Sequence, residues 1–276
     1  MKLITKSAFA LLICLSALQS CKKVEEGYAG DYPDKAKLIF VNVAPNSDTR
    51  PAHAIREIAI YPSYNGVEFN LFPIKFPWTN GYKPFDPGIL NLGLDTVLSQ
   101  LNFPPGSTSN VCLTCPLPKD ARKTVGTFPL ALEAGSYYSF YAAGTAQNVE
   151  PFLVKDDLTL PAPGKTKIMF YNFSPDAGPI DIWDVKKNVI IASNITYKTE
   201  RPYVEIDASP NNASFTMRVY QAGTTTPPTG NKVDMVINPN SVYTVFVTGY
   251  RVRPAGVGVP NQALQINYHS NLFTYL

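Results

Sequence analysis

The sequence predicts an all-β protein made of two β-sandwich modules in tandem, and three observations carry that expectation. One phrase is written twice. Lys37-Leu38-Ile39-Phe40-Val41-Asn42-Val43-Ala44-Pro45-Asn46 returns as Lys167-Ile168-Met169-Phe170-Tyr171-Asn172-Phe173-Ser174-Pro175-Asp176. A second phrase is also doubled, Ser136-Tyr137-Tyr138-Ser139-Phe140-Tyr141-Ala142-Ala143-Gly144 matching Ser241-Val242-Tyr243-Thr244-Val245-Phe246-Val247-Thr248-Gly249. Each copy of the first phrase opens a module, and each copy of the second stands near its far end. Composition agrees: 16 Tyr and 15 Phe favour strands, while 25 Pro and 17 Gly cut the chain into short runs bounded by turns.

The modules are preceded by an address. Lys2 and Lys6 are followed by an apolar run from Ala8 to Leu18, too short to span a bilayer and arranged like a secretory signal. Leu18-Gln19-Ser20-Cys21 resembles a bacterial lipobox, with Leu three residues before a Cys and a small residue just before it. The resemblance implies a signal peptide over residues 1–20, cleavage before Cys21, and acylation of its thiol and new amine. Buried acyl chains contribute about 0.8 kcal/mol per CH2, so several on one Cys anchor stably. Gln19 departs from the pattern, where a small or apolar residue is usual. Lys22 rather than Asp follows Cys21, which by lipoprotein sorting rules implies the outer membrane, periplasmic or surface-facing. Residues 21–35 are short on aliphatic side chains and read as a lipidated tether.

Loss of residues 1–20 removes Lys2 and Lys6 and takes the formal charge from +3 to +1. A near-neutral chain has no basic field for nucleic acid. The remaining roughly 250 residues suit two domains of ordinary size, each able to bury a core. The boundaries expected are 36–160 and 165–276, with Asp156-Asp157 and Pro161-Ala162-Pro163-Gly164 at the linker.

In the first module, strands are expected over Lys37–Val43 and Glu57–Tyr61, then a hairpin through Asn65-Gly66 into Val67–Phe72. A hairpin is expected between Phe128–Leu132 and Ser136–Ala143 across Ala134-Gly135, with Val149–Val154 closing the module. The doubled phrases lie 99 residues apart here and 74 apart in the second module, so the first carries an insertion, falling within residues 73–125. Gly88–Leu101 suits a short helix or a strand. The aromatics Tyr61, Tyr64, Trp78 and Tyr82 could make a platform for sugar or peptide, since flat rings bury much area at little entropic cost. The alternative is that Phe72, Phe76, Trp78 and Phe85 only cover a sandwich edge, with Pro blocking further pairing.

Cys112 and Cys115, in Asn110-Val111-Cys112-Leu113-Thr114-Cys115-Pro116, are the two thiols left after Cys14 departs and Cys21 is acylated. In an exported protein they read as a disulfide clip. Redox exchange would want a helix at Cys112, and Pro116 and Pro118 oppose one. Zinc would need two more ligands from a chain with only His53 and His269.

Strands in the second module are expected over Thr166–Phe173, Ile180–Trp183, Val189–Ala192, Tyr203–Ile206, Ser214–Tyr220, Lys232–Ile237, Val242–Val247 and Leu264–Tyr268, with Leu272–Leu276 a last strand. This spacing reads as an Ig-like or transthyretin-like sandwich. Ser174-Pro175-Asp176-Ala177-Gly178-Pro179-Ile180-Asp181-Ile182-Trp183 resembles the opening of the bacterial family called domain of unknown function 4397, as does the hairpin Ile237–Gly249. The resemblance covers most of the second module. It implies exported, often lipid-anchored envelope proteins with β-sandwich modules, and supplies no ligand or reaction.

No catalytic constellation stands out. Asp176, Asp181 and Asp184 lack a calcium-loop spacing; Asp176 is expected in a turn and Asp181 in solvent. No Gly-x-Ser-x-Gly elbow accompanies His53 or His269, both expected at the surface. The chain therefore reads as a non-enzymatic envelope protein with no cofactor or metal, held to the membrane by lipid and meeting envelope proteins or glycans. The alternatives are a glycan binder using the aromatic insertion, a carboxylate hydrolase and a thiol exchanger.

Overall fold

The computed structural model describes residues 32–45, 59–65, 67–68, 74–75, 82–97, 122–145, 148–208, 213–225, 232–252 and 263–272. Every regular element among them is a strand. The first half carries β1 (Ala36–Asn42), β2 (Ala59–Tyr64), β3 (Val67–Glu68), β4 (Ile74–Lys75), β5 (Lys83–Phe85), β6 (Gly88–Val97), β7 (Arg122–Leu132), β8 (Tyr137–Gly144) and β9 (Val149–Asp156). The second carries β10 (Lys165–Asn172), β11 (Ile180–Asp184), β12 (Val189–Ile195), β13 (Val204–Asp207), β14 (Ala213–Gln221), β15 (Val233–Ile237), β16 (Val242–Thr248) and β17 (Gln265–Leu272).

The strands make four sheets. In the first half these are β5-β1-β8-β9 and β3-β2-β6-β7, with β4 also on β2; in the second they are β13-β10-β16-β17 and β12-β11-β14-β15. The doubled phrases are the paired central strands. β1 runs parallel to β8 from Lys37↔Tyr137 to Asn42↔Ala142, and β10 runs parallel to β16 from Lys167↔Val242 to Asn172↔Val247. In both sheets the flanking pairs are antiparallel.

The repetition extends to single hydrogen bonds. The Asn42 side chain accepts from Ala44 N–H, and Asn172 from Ser174 N–H. The Tyr138 hydroxyl accepts from Glu133 N–H, and that of Tyr243 from Asn238 N–H. Gly135 donates to the Lys35 carbonyl with φ of 71°, and Asn240 to the Lys165 carbonyl with φ of 56°. Gly and Asn are the residues that best tolerate this left-handed backbone.

Three apolar cores separate the four sheets. Leu38, Phe40 and Phe140 pack with Leu90, Leu92, Leu94, Leu130 and Leu132 inside the first half. Ile168, Phe170, Val245 and Val247 pack with Ile182, Met217, Val219 and Met235 inside the second. The third core joins the halves: Ile39, Val41, Val43 and Tyr141 face Met169, Tyr171, Phe173 and Phe246. β1, β8, β10 and β16 are therefore buried on both faces, and the molecule is a four-layer stack of sheets. Two-sided burial explains why the doubled phrases are continuously apolar instead of alternating. At the centre, Phe173 stacks on Tyr141 with ring centroids 4.6 Å apart.

One expectation is corrected and one open choice is resolved. Phe128–Leu132 and Ser136–Ala143 do not form a hairpin: β7 pairs with β6, while β8 lies between β1 and β9 in another sheet. The turn at Ala134-Gly135 carries the chain between layers, because both edges of β8 are already occupied. Gly88–Val97 is a strand and not a helix, with Leu90, Leu92 and Leu94 buried at a period of two. The Asn65 hairpin forms as expected, Tyr64 pairing with Val67 and Asn65 taking φ of 46°.

Phe173 is fully buried in the joining core. Phe173→Ala should cost about 3–5 kcal/mol, read by urea unfolding. Both halves should unfold in one transition; two separated transitions in the wild-type protein would show that the joining core does not couple them.

Candidate functional site

Two of the four aromatics expected in a platform, Tyr82 and Tyr64, are packed into the fold. Tyr82 is buried, edge-on to Tyr137 with centroids 5.2 Å apart, so it cannot present a face to a sugar. Tyr64 is half-buried and packs edge-on against Phe85 at 5.1 Å. Tyr61 is described only as backbone in β2, opposite Asp95. Trp78 lies outside the described residues, as do Cys21, Cys112, Cys115 and His53.

Tyr82 belongs instead to a polar chain between the halves. The Ser139 hydroxyl donates to Asp156 Oδ2 at 2.8 Å, and the Tyr82 hydroxyl donates to the same oxygen at 2.8 Å. Asn271 Nδ2 donates to the Tyr82 oxygen at 3.0 Å, and the Thr244 hydroxyl donates to Asn271 Oδ1 at 2.7 Å. Ser139 and Asp156 come from β8 and β9; Thr244 and Asn271 come from β16 and β17. Alternation places each on the strand face that meets the other half. A second bridge joins the halves elsewhere. The Tyr197 hydroxyl accepts from Gly144 N–H at 3.1 Å, and Lys198 Nζ lies 2.9 Å from Glu150.

Burial sets the ionisation here. It pushes the Asp156 carboxyl up to about 7, against the pull of the Ser139 and Tyr82 donors. Burial also raises Tyr82, Tyr141 and Tyr171, which stay neutral. His269 is buried rather than superficial, because Thr244↔His269 pairing turns it toward Phe246, 5.9 Å away. Burial pulls its imidazole down to about 4. Neither ring nitrogen has a hydrogen-bond partner among the described residues, nor do the Tyr141 and Tyr171 hydroxyls.

The linker is held by a related device. Lys167 Nζ reaches Asp157 at 2.7 Å and the Thr159 carbonyl at 3.0 Å, over the Tyr203 ring. Burial acts to raise the Asp157 pKa, but the Lys167 and Thr159 bonds outweigh it and hold it at about 2.

Asp176, Asp181 and Asp184, the three weighed as calcium ligands, serve backbone. Asp176 accepts from Arg251 and Val252 N–H at 2.7 and 2.8 Å. Asp181 is buried and not in solvent, accepting from Asn194 and Gly223 N–H at 2.7 and 3.0 Å. Asp184 accepts from Lys186 N–H at 3.1 Å. Among the described residues no three His, Cys, Asp or Glu gather to hold a metal. The sequence carried no local sign of the Tyr82–Asp156–Asn271 chain, whose members lie up to 189 residues apart.

Residues 81–183 match the model of DUF4397, a domain of unknown function. The matched stretch holds Ser136–Gly144 and Ser174–Trp183 and stops short of Ile237–Gly249. It therefore straddles the two halves instead of covering the second alone. No curated protein matches the chain. Among solved structures, a candidate cell-adhesion protein from Bacteroides fragilis NCTC 9343 is 7% identical, over 88% of this chain and 99% of that one, with a TM-score of 0.20. Candidate polysaccharide-binding proteins (DUF1812) from Bacteroides thetaiotaomicron VPI-5482 are 9% identical over 86% of this chain and 97% of that one, with a TM-score of 0.17. At these scores neither likeness bears on fold or role.

Asp156 and His269 oppose each other in pH dependence. The Asp156 value of about 7 lies above its ordinary 3.8, so its contribution to stability is full below 3.8 and is lost as pH rises toward 7. The His269 value of about 4 lies below its ordinary 6.5, so its contribution is full above 6.5 and is lost as pH falls toward 4. Asp156→Asn should leave stability rising with pH between about 4 and 6.5, and His269→Gln should leave it falling, in urea titrations at stepped pH. An Asp156→Asn profile parallel to wild type would contradict the assignment.

Proposed function

We propose that this chain is a lipid-anchored, non-enzymatic protein of the cell envelope, with the modules 36–160 and 165–276 standing off an outer membrane on the tether 21–35. The observation that carries this reading is the joining core, which locks the sheets into one rigid stack suited to holding or displaying. Two groups whose ionisation burial shifts, Asp156 and His269, support it: both are buried in packing between sheets, where they serve structure. The address rests on Leu18-Gln19-Ser20-Cys21.

Cys21→Ser should abolish labelling by a fatty-acid probe in a Gram-negative host and move the protein from the membrane to the soluble fraction. Continued labelling would reject the anchor. In the oxidising envelope Cys112 and Cys115 form a disulfide clip. Alkylation of the denatured, unreduced protein should find neither thiol free, and two reactive thiols would refute the clip.

A further inference from the structure

The sheet β12-β11-β14-β15 is an outer layer of the stack. Ile182, Met217, Val219, Met235 and Ile237 face the core, so alternation turns Trp183, Arg218, Tyr220, Asp234 and Val236 to the other face. Trp183 and Arg218 are direct cross-strand partners, and Ile190 lies across from Trp183 on the other side. Tyr220 sits diagonally, its ring 5.3 Å from that of Trp183 at 47°. Ile190 is 46% and Val236 50% exposed, so the face is apolar as well as aromatic.

Positive charge on this face exceeds its exposed negative charge. Arg218 is half-buried and has no acidic or hydrogen-bonding partner among the described residues. The Trp183 indole N–H is buried, so this ring offers its face and not its donor. Lys186 is exposed in the turn before β12, and Lys232 Nζ lies 3.7 Å from Asp234 Oδ2. Asp234 feels both lysines and also accepts from Thr216, whose bond does most to hold its carboxyl below the usual range. Lys186 and Lys232 thus flank one exposed carboxylate that is already occupied, and Arg218, paired across from Trp183, adds further positive charge beside the flat rings.

We propose that this face binds an acidic polysaccharide, a chain of carboxylate-bearing sugars. Trp183 and Tyr220 receive the C–H face of a pyranose ring. The Arg218 guanidinium, a planar fork suited to bidentate pairing, takes a sugar carboxylate, with Lys186 and Lys232 adding field. A protein strand is a poorer occupant. Trp183 and Arg218 lie on β11 and β14, whose backbones are paired on both sides, so no strand edge is offered beneath the rings. The site lies outside the aromatic insertion and does not depend on acylation at Cys21, so it can fail while the anchor stands, and the reverse.

The test is affinity electrophoresis and calorimetry of the full chain with polygalacturonate, its methyl ester, neutral dextran and polyglutamate. Polygalacturonate should bind, its methyl ester and dextran should not, and added salt should weaken binding. Arg218→Gln and Trp183→Ala should each weaken it roughly tenfold or more, as central contact residues do. Circular dichroism checks folding; should Trp183→Ala misfold, Trp183→Phe and Arg218→Gln decide. No binding of polygalacturonate, equal binding of the methyl ester or of polyglutamate, or unchanged affinity in folded Arg218→Gln would each overturn the proposal.

Discussion

Burial of β1, β8, β10 and β16 on both faces is the constraint on which the architecture depends. A strand in an ordinary sandwich has one wet face and alternates accordingly. These four have none, so their side chains are mostly apolar or hydrogen-bonded inside the protein, the Tyr141 and Tyr171 hydroxyls being the exceptions among the described residues. Leu38 and Phe40 fill one core while Ile39 and Val41 fill the next. The parallel pairing of β1 with β8 and of β10 with β16 fits this position, since parallel pairs are rarely left open to water. Polar residues admitted to the middle layer are tied: Asn42 and Asn172 turn the chain at the strand ends, and Ser139 and Thr244 enter the chain through Asp156, Tyr82 and Asn271.

That polar chain shows how two halves with apolar faces are kept in one relative position. Apolar packing is tolerant of small slides, whereas the Asn271–Tyr82 bond of 3.0 Å that crosses the joint, held in place by three others within the halves, is not. Tyr82 is the hinge pin: it is contributed by the first half, donates to Asp156 of the same half and accepts from Asn271 of the other. Asp156 is held protonated over much of the range in which His269 is neutral, so the joining layer carries little net charge near pH 6.

Much of this was legible in the residues. The doubled phrases announced the repeated central strands, and period-two runs such as Phe215, Met217 and Val219 announced the sandwich faces. What failed did so for tertiary reasons. A Gly after a strand looks the same whether the chain folds back beside it or crosses to another layer, so Gly135 alone suggests a hairpin that does not form. Tyr82 looked like a member of an exposed cluster because the partners that bury it, Asp156 and Asn271, are far away in sequence. Asp181 between two isoleucines looked wet because alternation cannot reveal that Asn194 and Gly223 bring N–H groups to meet it. The outer face bearing Trp183 and Arg218 needed strand register to be seen at all.

The joining layer places like against like. Ile39, Val41, Val43 and Tyr141 occupy the same repeat positions as Met169, Tyr171, Phe173 and Phe246, and all eight meet in one core. This is the signature of a self-complementary surface, in which a patch contacts its own counterpart. A chain carrying only one copy of the repeat would leave that patch bare, and two such chains could bury it by coming together about a dyad. The tandem protein is in this sense a homodimer whose subunits are covalently spliced, with the partner always present at fixed stoichiometry.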